Sequence, residues 1–145
     1  MITTGLRLGA ATAAWLFAGC VVVQVFLVGL GLFEAGTYLG THAAFGTSIG
    51  ILPVILVLLV IAGRCPVWLF GLTALLLGLS ALQFIFVHYG PGSIRALHPV
   101  NAFALLGLAL LVGGRARTLA RRSSGTATVM AGAPERGSGS PIART

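Results

Sequence analysis

The sequence predicts an all-α membrane protein, a bundle of four transmembrane helices, and three observations predict it. Apolar residues make up 57% of the 145-residue chain, and its mean hydropathy is +1.04. Charged residues make up only 8%, too few to cover the surface of a soluble domain. Four separate apolar runs approach the roughly 20 residues that cross a hydrocarbon core of about 30 Å.

The first run predicts a helix over residues 8–33. Its start, with Arg7, an apolar stretch and then Leu16-Phe17-Ala18-Gly19-Cys20, has the look of a signal peptide with a lipoprotein-type cleavage site. Phe17 stands where a smaller aliphatic residue is usual, and the chain runs on from Val21 to Leu27 without a polar linker. The segment is therefore read as a helix. The second run predicts a helix over 42–62, kinked by Pro53, which has no N–H to donate and whose ring crowds the preceding turn. The third predicts 66–89.

The fourth begins at 99, where Pro99 suits a first turn and leaves His98 at the cap. Its apolar part ends at Val112, which is short for a span. The helix is extended to 120 through Arg115 and Arg117, whose stems can snorkel to the interface. One four-helix domain thus occupies residues 1–122. Residues 123–145, dominated by Ser, Gly, Thr, Pro and Ala, predict a disordered cytoplasmic tail.

The formal charge of +7 raises a nucleic-acid partner, and the placement of the charge argues against one. All nine basic residues are Arg, and six lie from Arg115 onward, directly after the last apolar run. That is an anchor flank, and the partner it implies is a lipid bilayer. Arg7, Arg64 and the Arg115 to Arg122 cluster mark one side. Both termini are therefore expected to be cytoplasmic in a plasma-membrane protein, with Arg95 the exception on the outer side. Cys20 and Cys65 fall at different depths and read as separate buried thiols rather than a disulfide.

Once the spans are paired, a repeat emerges. Gln24 precedes His42 by 18 residues, and Gln83 precedes His98 by 15, each pair straddling an outer loop with a small residue four positions after the His, Gly46 or Ala102. Two hairpins of the same topology are related by an axis along the membrane normal. Counted from Arg7, Arg64 and Arg115, the residues Gln24, Gln83 and His98 sit roughly 25 to 29 Å from the cytoplasmic anchors. The polar residues therefore gather near the outer face. Unpaired in lipid, each would cost several kcal/mol, so they are expected to face one another or a ligand.

Gln24 and Gln83 read either as hydrogen-bonding glue between helices or as part of a site. His88, at the end of the third helix, reads as a solvated loop residue. His42 and His98 are the candidate metal ligands: a haem needs one or two neutral imidazoles and a slot of small and aromatic residues. Phe26, Phe33, Phe45, Phe84 and Phe86 could wall that slot, with Gln24, Gln83 and Asn101 hydrogen-bonding around the cofactor. A quinone head group is a second ligand for the same place. A non-catalytic accessory protein, whose His and Gln residues only lock helices, would have a closed and filled bundle. A subunit of a larger transporter would show a small-residue stripe, Gly46 and Gly50, to lipid rather than to its own bundle. Beyond the bilayer, the partners left open are another membrane protein and a second copy of the chain. Glu34, the lone acid of the membrane part, is either solvated or paired with Arg95.

The motifs of covalent haem attachment, of zinc proteases and of phosphate-binding loops do not occur in the sequence. The strings Gln24-Val-Phe-Leu-Val-Gly-Leu-Gly-Leu-Phe33, His42-x-x-x-Gly46 and Leu97-His98-Pro-Val-Asn101-Ala102 resemble a family of small bacterial four-helix membrane proteins of unknown function, over roughly residues 10–115. The resemblance implies a fold and a location and carries no activity. More distantly, the doubled Gln and His hairpin is similar to the halves of haem A synthase and other four-helix haem bundles. That likeness implies His42 and His98 as haem ligands. It departs from haem A synthase in having four helices rather than eight, and in placing Ala43 and Pro99 where that family pairs His with Arg.

Overall fold

The computed structural model describes residues 2–131, with side chains for 2–124. The elements in chain order are α1 (Ile2–Phe33), α2 (Thr37–Ile49), α3 (Ile51–Ala62), α4 (Val67–Tyr89), the short α5 (Gly92–Arg95) and α6 (Leu97–Ala131). Among the described residues there is no strand. Four segments are long and apolar enough to cross a membrane: Ile2–Phe33, Thr37–Ala62, Val67–Tyr89 and Gly92–Ser124. The chain is an all-α, multi-pass membrane protein.

The second span is broken where Pro53 requires it. Residue 53 offers no N–H to the Ile49 carbonyl, and its ring crowds that carbonyl. Helix α2 accordingly ends at Ile49, Gly50 turns back to the Thr47 carbonyl at 3.3 Å, and α3 starts afresh at Ile51. Other boundaries differ from the sequence reading. Helix α1 begins before Arg7, and α2 begins at Thr37 rather than 42, which shortens the first loop to Glu34, Ala35 and Gly36. Helix α6 does not stop near 120: the stretch expected to be disordered from Ser123 stays helical to Ala131, and the rest of the expected tail, 132–145, lies outside the described residues. The segment Ser123 to Ala131 holds no Pro, so nothing in its backbone chemistry forces the helix to stop.

The helices form a ring in which α1 packs on α6 and on the second span, and α4 packs on α6 and α3. The α1 and α6 contact is the most extensive, and its composition explains why. Ala10, Ala11, Ala14 and Ala18 of α1 and Ala109, Ala116 and Ala120 of α6 are all buried, and small side chains let two backbones approach closely in lipid. Leu56 and Val60 of α3, Leu69 and Leu76 of α4, and Leu105 and Val112 of α6 complete the core. The end of the bundle that carries Arg64 and Arg115 is thereby filled. Helix α2, by contrast, contains no buried residue.

A polar clasp closes the arginine end. The α3–α4 turn places Arg64 in the left-handed region, φ 47°, with the Arg64 N–H donating to the Ile61 carbonyl at 3.0 Å and the Cys65 N–H to the Val60 carbonyl at 3.1 Å. This is the two-bond pattern that terminates many helices. Arg7 then donates through Nε to the Gly63 carbonyl at 3.0 Å, through Nη2 to the Arg64 carbonyl at 3.1 Å, and through Nη1 to Ser123 Oγ at 2.5 Å. One guanidinium so joins α1, the α3 terminus and α6. Cys20 and Cys65 are both free. Burial pushes the Cys65 thiol above its ordinary range, and the neighbouring Arg7 opposes that rise. At the opposite end, Arg95 donates through Nε to the Gly90 carbonyl at 2.9 Å. Among the described residues no Glu34–Arg95 ion pair forms.

Candidate functional site

At the end opposite the arginines the four spans enclose a cavity of about 640 Å³, within the usual range for a small-molecule pocket. The core explains its position. Buried residues of α1 end at Val21 and those of α4 at Leu76, so the filled half stops just short of the glutamines. Above that level, Gln24, His42, Gln83 and His98 all line the cavity.

The second turn of α2 presents His42 and the first turn of α6 presents His98, from diagonally opposite corners of the ring. Their imidazoles meet edge to face, with ring centroids 5.9 Å apart and planes at 72°. Each is held by the glutamine that precedes it in its own hairpin. His42 Nδ1 lies 3.1 Å from the Gln24 backbone oxygen, and His98 Nδ1 lies 3.4 Å from the Gln83 backbone oxygen. A carbonyl oxygen can only accept, so both rings carry a proton on Nδ1, and in the neutral ring the acceptor nitrogen is then Nε2. The two hairpins therefore repeat a contact as well as a sequence pattern.

Beyond that contact the repeat breaks. Asn101, 7% exposed, donates through Nδ2 to the Leu79 carbonyl at 2.8 Å and to Gln83 Oε1 at 2.6 Å. It sits behind Gln83 and does not itself line the cavity. The matching position after His42 holds Phe45, which has no donor to offer. Gln24 Oε1 is buried without a partner, and the Gln24 Nε2 end rests where a side chain on Gly46 would stand. Gly46 faces the interior of its own bundle rather than lipid.

Two expectations about the walls need correction. Of the five phenylalanines proposed as walls, Phe84 alone lines the cavity, joined by Phe17 and Phe103. Phe26 and Phe33 are 63% and 87% exposed, and Phe26 lies on the face of α1 turned away from Gln24. His88, read as a plain loop residue, is exposed but also lines the cavity. It stacks on Phe84 at 3.8 Å between centroids and donates through Nδ1 to the Phe84 carbonyl at 2.9 Å. The four-residue spacing of Phe84 and His88 on one helix was the signal for this pairing.

Among the described residues no group of three or more His, Cys, Asp or Glu side chains could hold a metal ion. The site offers two imidazoles in edge-to-face contact and an apolar chamber with small residues at Ala43, Gly46 and Ala102. Residues 24–89 match a protein family of unknown function, DUF6220. The matched segment takes in Gln24, His42, Gln83 and His88 and ends before His98 and Asn101. It brings no activity with it, in keeping with the family resemblance read from the sequence. No curated protein and no solved structure matches the chain.

Proposed function

We propose that this membrane protein binds haem between His42 and His98 and serves a redox-associated role. The observation that carries the reading is the close pair of cavity-lining histidines, each turned toward a backbone carbonyl through Nδ1. Nitrogens on opposite sides of one metal ion stand about 4 Å apart. Two rings whose centroids are 5.9 Å apart are near enough to share one metal once one of them turns its edge to the other. A bare ion held in a protein site usually takes three or four side-chain ligands. Two histidines without a third ligand suit a metal that brings its own equatorial nitrogens, as haem iron does. Hydrogen bonds from ligating histidines to backbone carbonyls fix tautomer and ring orientation in metal sites generally. Gln24 and Gln83 supply those carbonyls, and Asn101 steadies Gln83. The arginine distribution supports a plasma-membrane setting with both termini cytoplasmic and the histidine end outward.

The test is an absorption spectrum of the detergent-purified protein, as isolated and after reduction, with haem supplied during expression. A Soret band that sharpens on reduction is expected, lost in His42→Ala or His98→Ala and kept in His88→Ala. A folded protein that stays colourless under those conditions would sink the haem reading and leave the same residues the task of locking helices.

A further inference from the structure

We infer that the cavity exchanges its ligand with the bilayer through a lateral opening between α2 and α4, so that haem reaches the histidine pair edge-on from hydrocarbon rather than from water. The identity of the ligand rests on the haem reading, whereas the opening does not.

The argument begins from the broken symmetry of the two hairpins. The axis that exchanges them carries α1 onto α4 and the second span onto α6. It therefore pairs the α1–α6 interface with the one between the second span and α4. The first is closed by the buried alanines from the arginine end up to Ala18 and Ala109, and Val21 and Leu105 carry the buried packing one turn further. The second is shut only below Gly50, where α3 packs on α4. Above Gly50, α2 packs against α1 and buries no residue.

The cause lies at one position. Pro53 stands eleven residues after His42, and the residue eleven after His98 is Ala109, which is fully buried in the uninterrupted helix α6. A proline in one hairpin and an alanine in the other interrupts one span and leaves its counterpart continuous. One of two equivalent interfaces then parts.

The rim of the parted interface is built for lipid. On the α4 side Ala81, Phe84 and Val87 both line the cavity and are exposed, and on the α2 side Thr47 and Gly50 do the same. Thr47 spends its hydroxyl on the Ala43 carbonyl at 3.0 Å, so it presents little polarity to the gap. His88, exposed and stacked on Phe84, is the one imidazole at this rim and spends its Nδ1 on the Phe84 carbonyl. The other walls of the slot, inside the span of two membrane helices, offer water few hydrogen-bond partners and admit hydrocarbon. A flat molecule with an apolar edge that dissolves in the bilayer, as haem does, can pass it. A hydrated ion cannot.

Two measurements test this in lipid nanodiscs, on a Cys20→Ser, Cys65→Ser background. First, a nitroxide placed by Thr47→Cys is compared for relaxation by oxygen, which partitions into lipid, and by a water-soluble nickel chelate. Relaxation dominated by oxygen is expected. Dominance of the chelate would mean a water-filled crevice and overturn the lateral opening, whether or not the protein binds haem. Second, Thr47→Cys and Ala81→Cys are bridged with a flexible bismaleimide, and haem uptake from haemin-loaded phosphatidylcholine vesicles is followed by the Soret band. Loss of uptake on bridging, with uptake intact after a monofunctional maleimide, is expected. Equal uptake with the slot bridged would overturn lateral entry. An unbridged protein that takes up no haem would sink the haem reading alone, and the nitroxide result would still decide the opening.

Discussion

Asn101 donates a hydrogen bond of 2.6 Å to the side-chain oxygen of Gln83, a partner that Gln24 lacks in the other hairpin. The same amide also holds the Leu79 carbonyl, so one residue of α6 ties two successive turns of α4. Its consequence is a difference in cost between two otherwise matching glutamines.

Asn101→Ala is expected to destabilise the bundle by about 1 to 2 kcal/mol, since interhelical hydrogen bonds in membranes contribute roughly 0.6 and at most about 1.7 kcal/mol each. It also leaves Gln83 Oε1 without its donor. Gln24→Leu removes an acceptor that is already unpaired and should be neutral or slightly stabilising. Unfolding of both variants in mixed detergent, followed by circular dichroism, checks the pair. Equal losses from the two would show that the asymmetry has no energetic weight.

Much of this architecture was legible in the residues, for reasons that differ by level. The spans follow from hydropathy, because each must satisfy its backbone internally to cross lipid. The break near Pro53 follows from its missing N–H. The Gln and His repeat was visible as spacing, and the polar layer as distance from the arginines. What spacing could not reveal is which atoms meet. The sequence suggested that glutamine side chains would find partners, whereas the histidines take glutamine backbone oxygens, and a backbone oxygen has no residue signature. Asn101 was named as a hydrogen bonder around the site, yet its position behind Gln83 depends on the rotation of α6 against α4. The phenylalanine walls failed for a similar reason. Phe26 lies two residues from Gln24 on the same helix, which turns it by about 200° to another face. The start of α2 at Thr37 was hidden because Gly36 and Gly40 resemble loop residues, though a membrane helix tolerates them.

The turn after α3 supplies a second prediction. Arg64 occupies the left-handed conformation that costs an L-residue roughly 1 to 2 kcal/mol, and the residue before it is the glycine. Arg64→Gly relieves the strain. It keeps the Arg7 contact too, because Arg7 holds the backbone carbonyl of residue 64 and not its side chain. A gain of about 1 kcal/mol is expected in the same unfolding assay. Arg7→Gln, which loses hydrogen bonds to Gly63, Arg64 and Ser123, should move stability the other way. A loss of stability in Arg64→Gly would mean that its side chain contributes more than the strain removes.

The last prediction concerns how tightly α1 and α6 are joined. Trp15 lies across Gly113, and Arg117 stacks over the same indole with its guanidinium carbon 5.4 Å from the ring centroid. A methyl group on residue 113 would fall into the five-membered ring of Trp15, at 2.5 Å from Cδ1 and 3.0 Å from Cε2. An indole cannot fold aside as the end of a flexible chain can, so either the ring or the helices must shift. Gly113→Ala is expected to cost about 1 to 3 kcal/mol, the usual penalty for overpacking. Trp15→Leu in the same chain should recover part of it. Gly107 and Gly114 meet nothing within 4 Å of such a methyl. Alanine at either position should be neutral or stabilising by about 0.5 to 1 kcal/mol through its better helix propensity. If all three alanine variants behaved alike, the close fit of Trp15 on Gly113 would not be what holds this interface shut, and the contrast with the parted α2–α4 side would have to rest on the buried alanines alone.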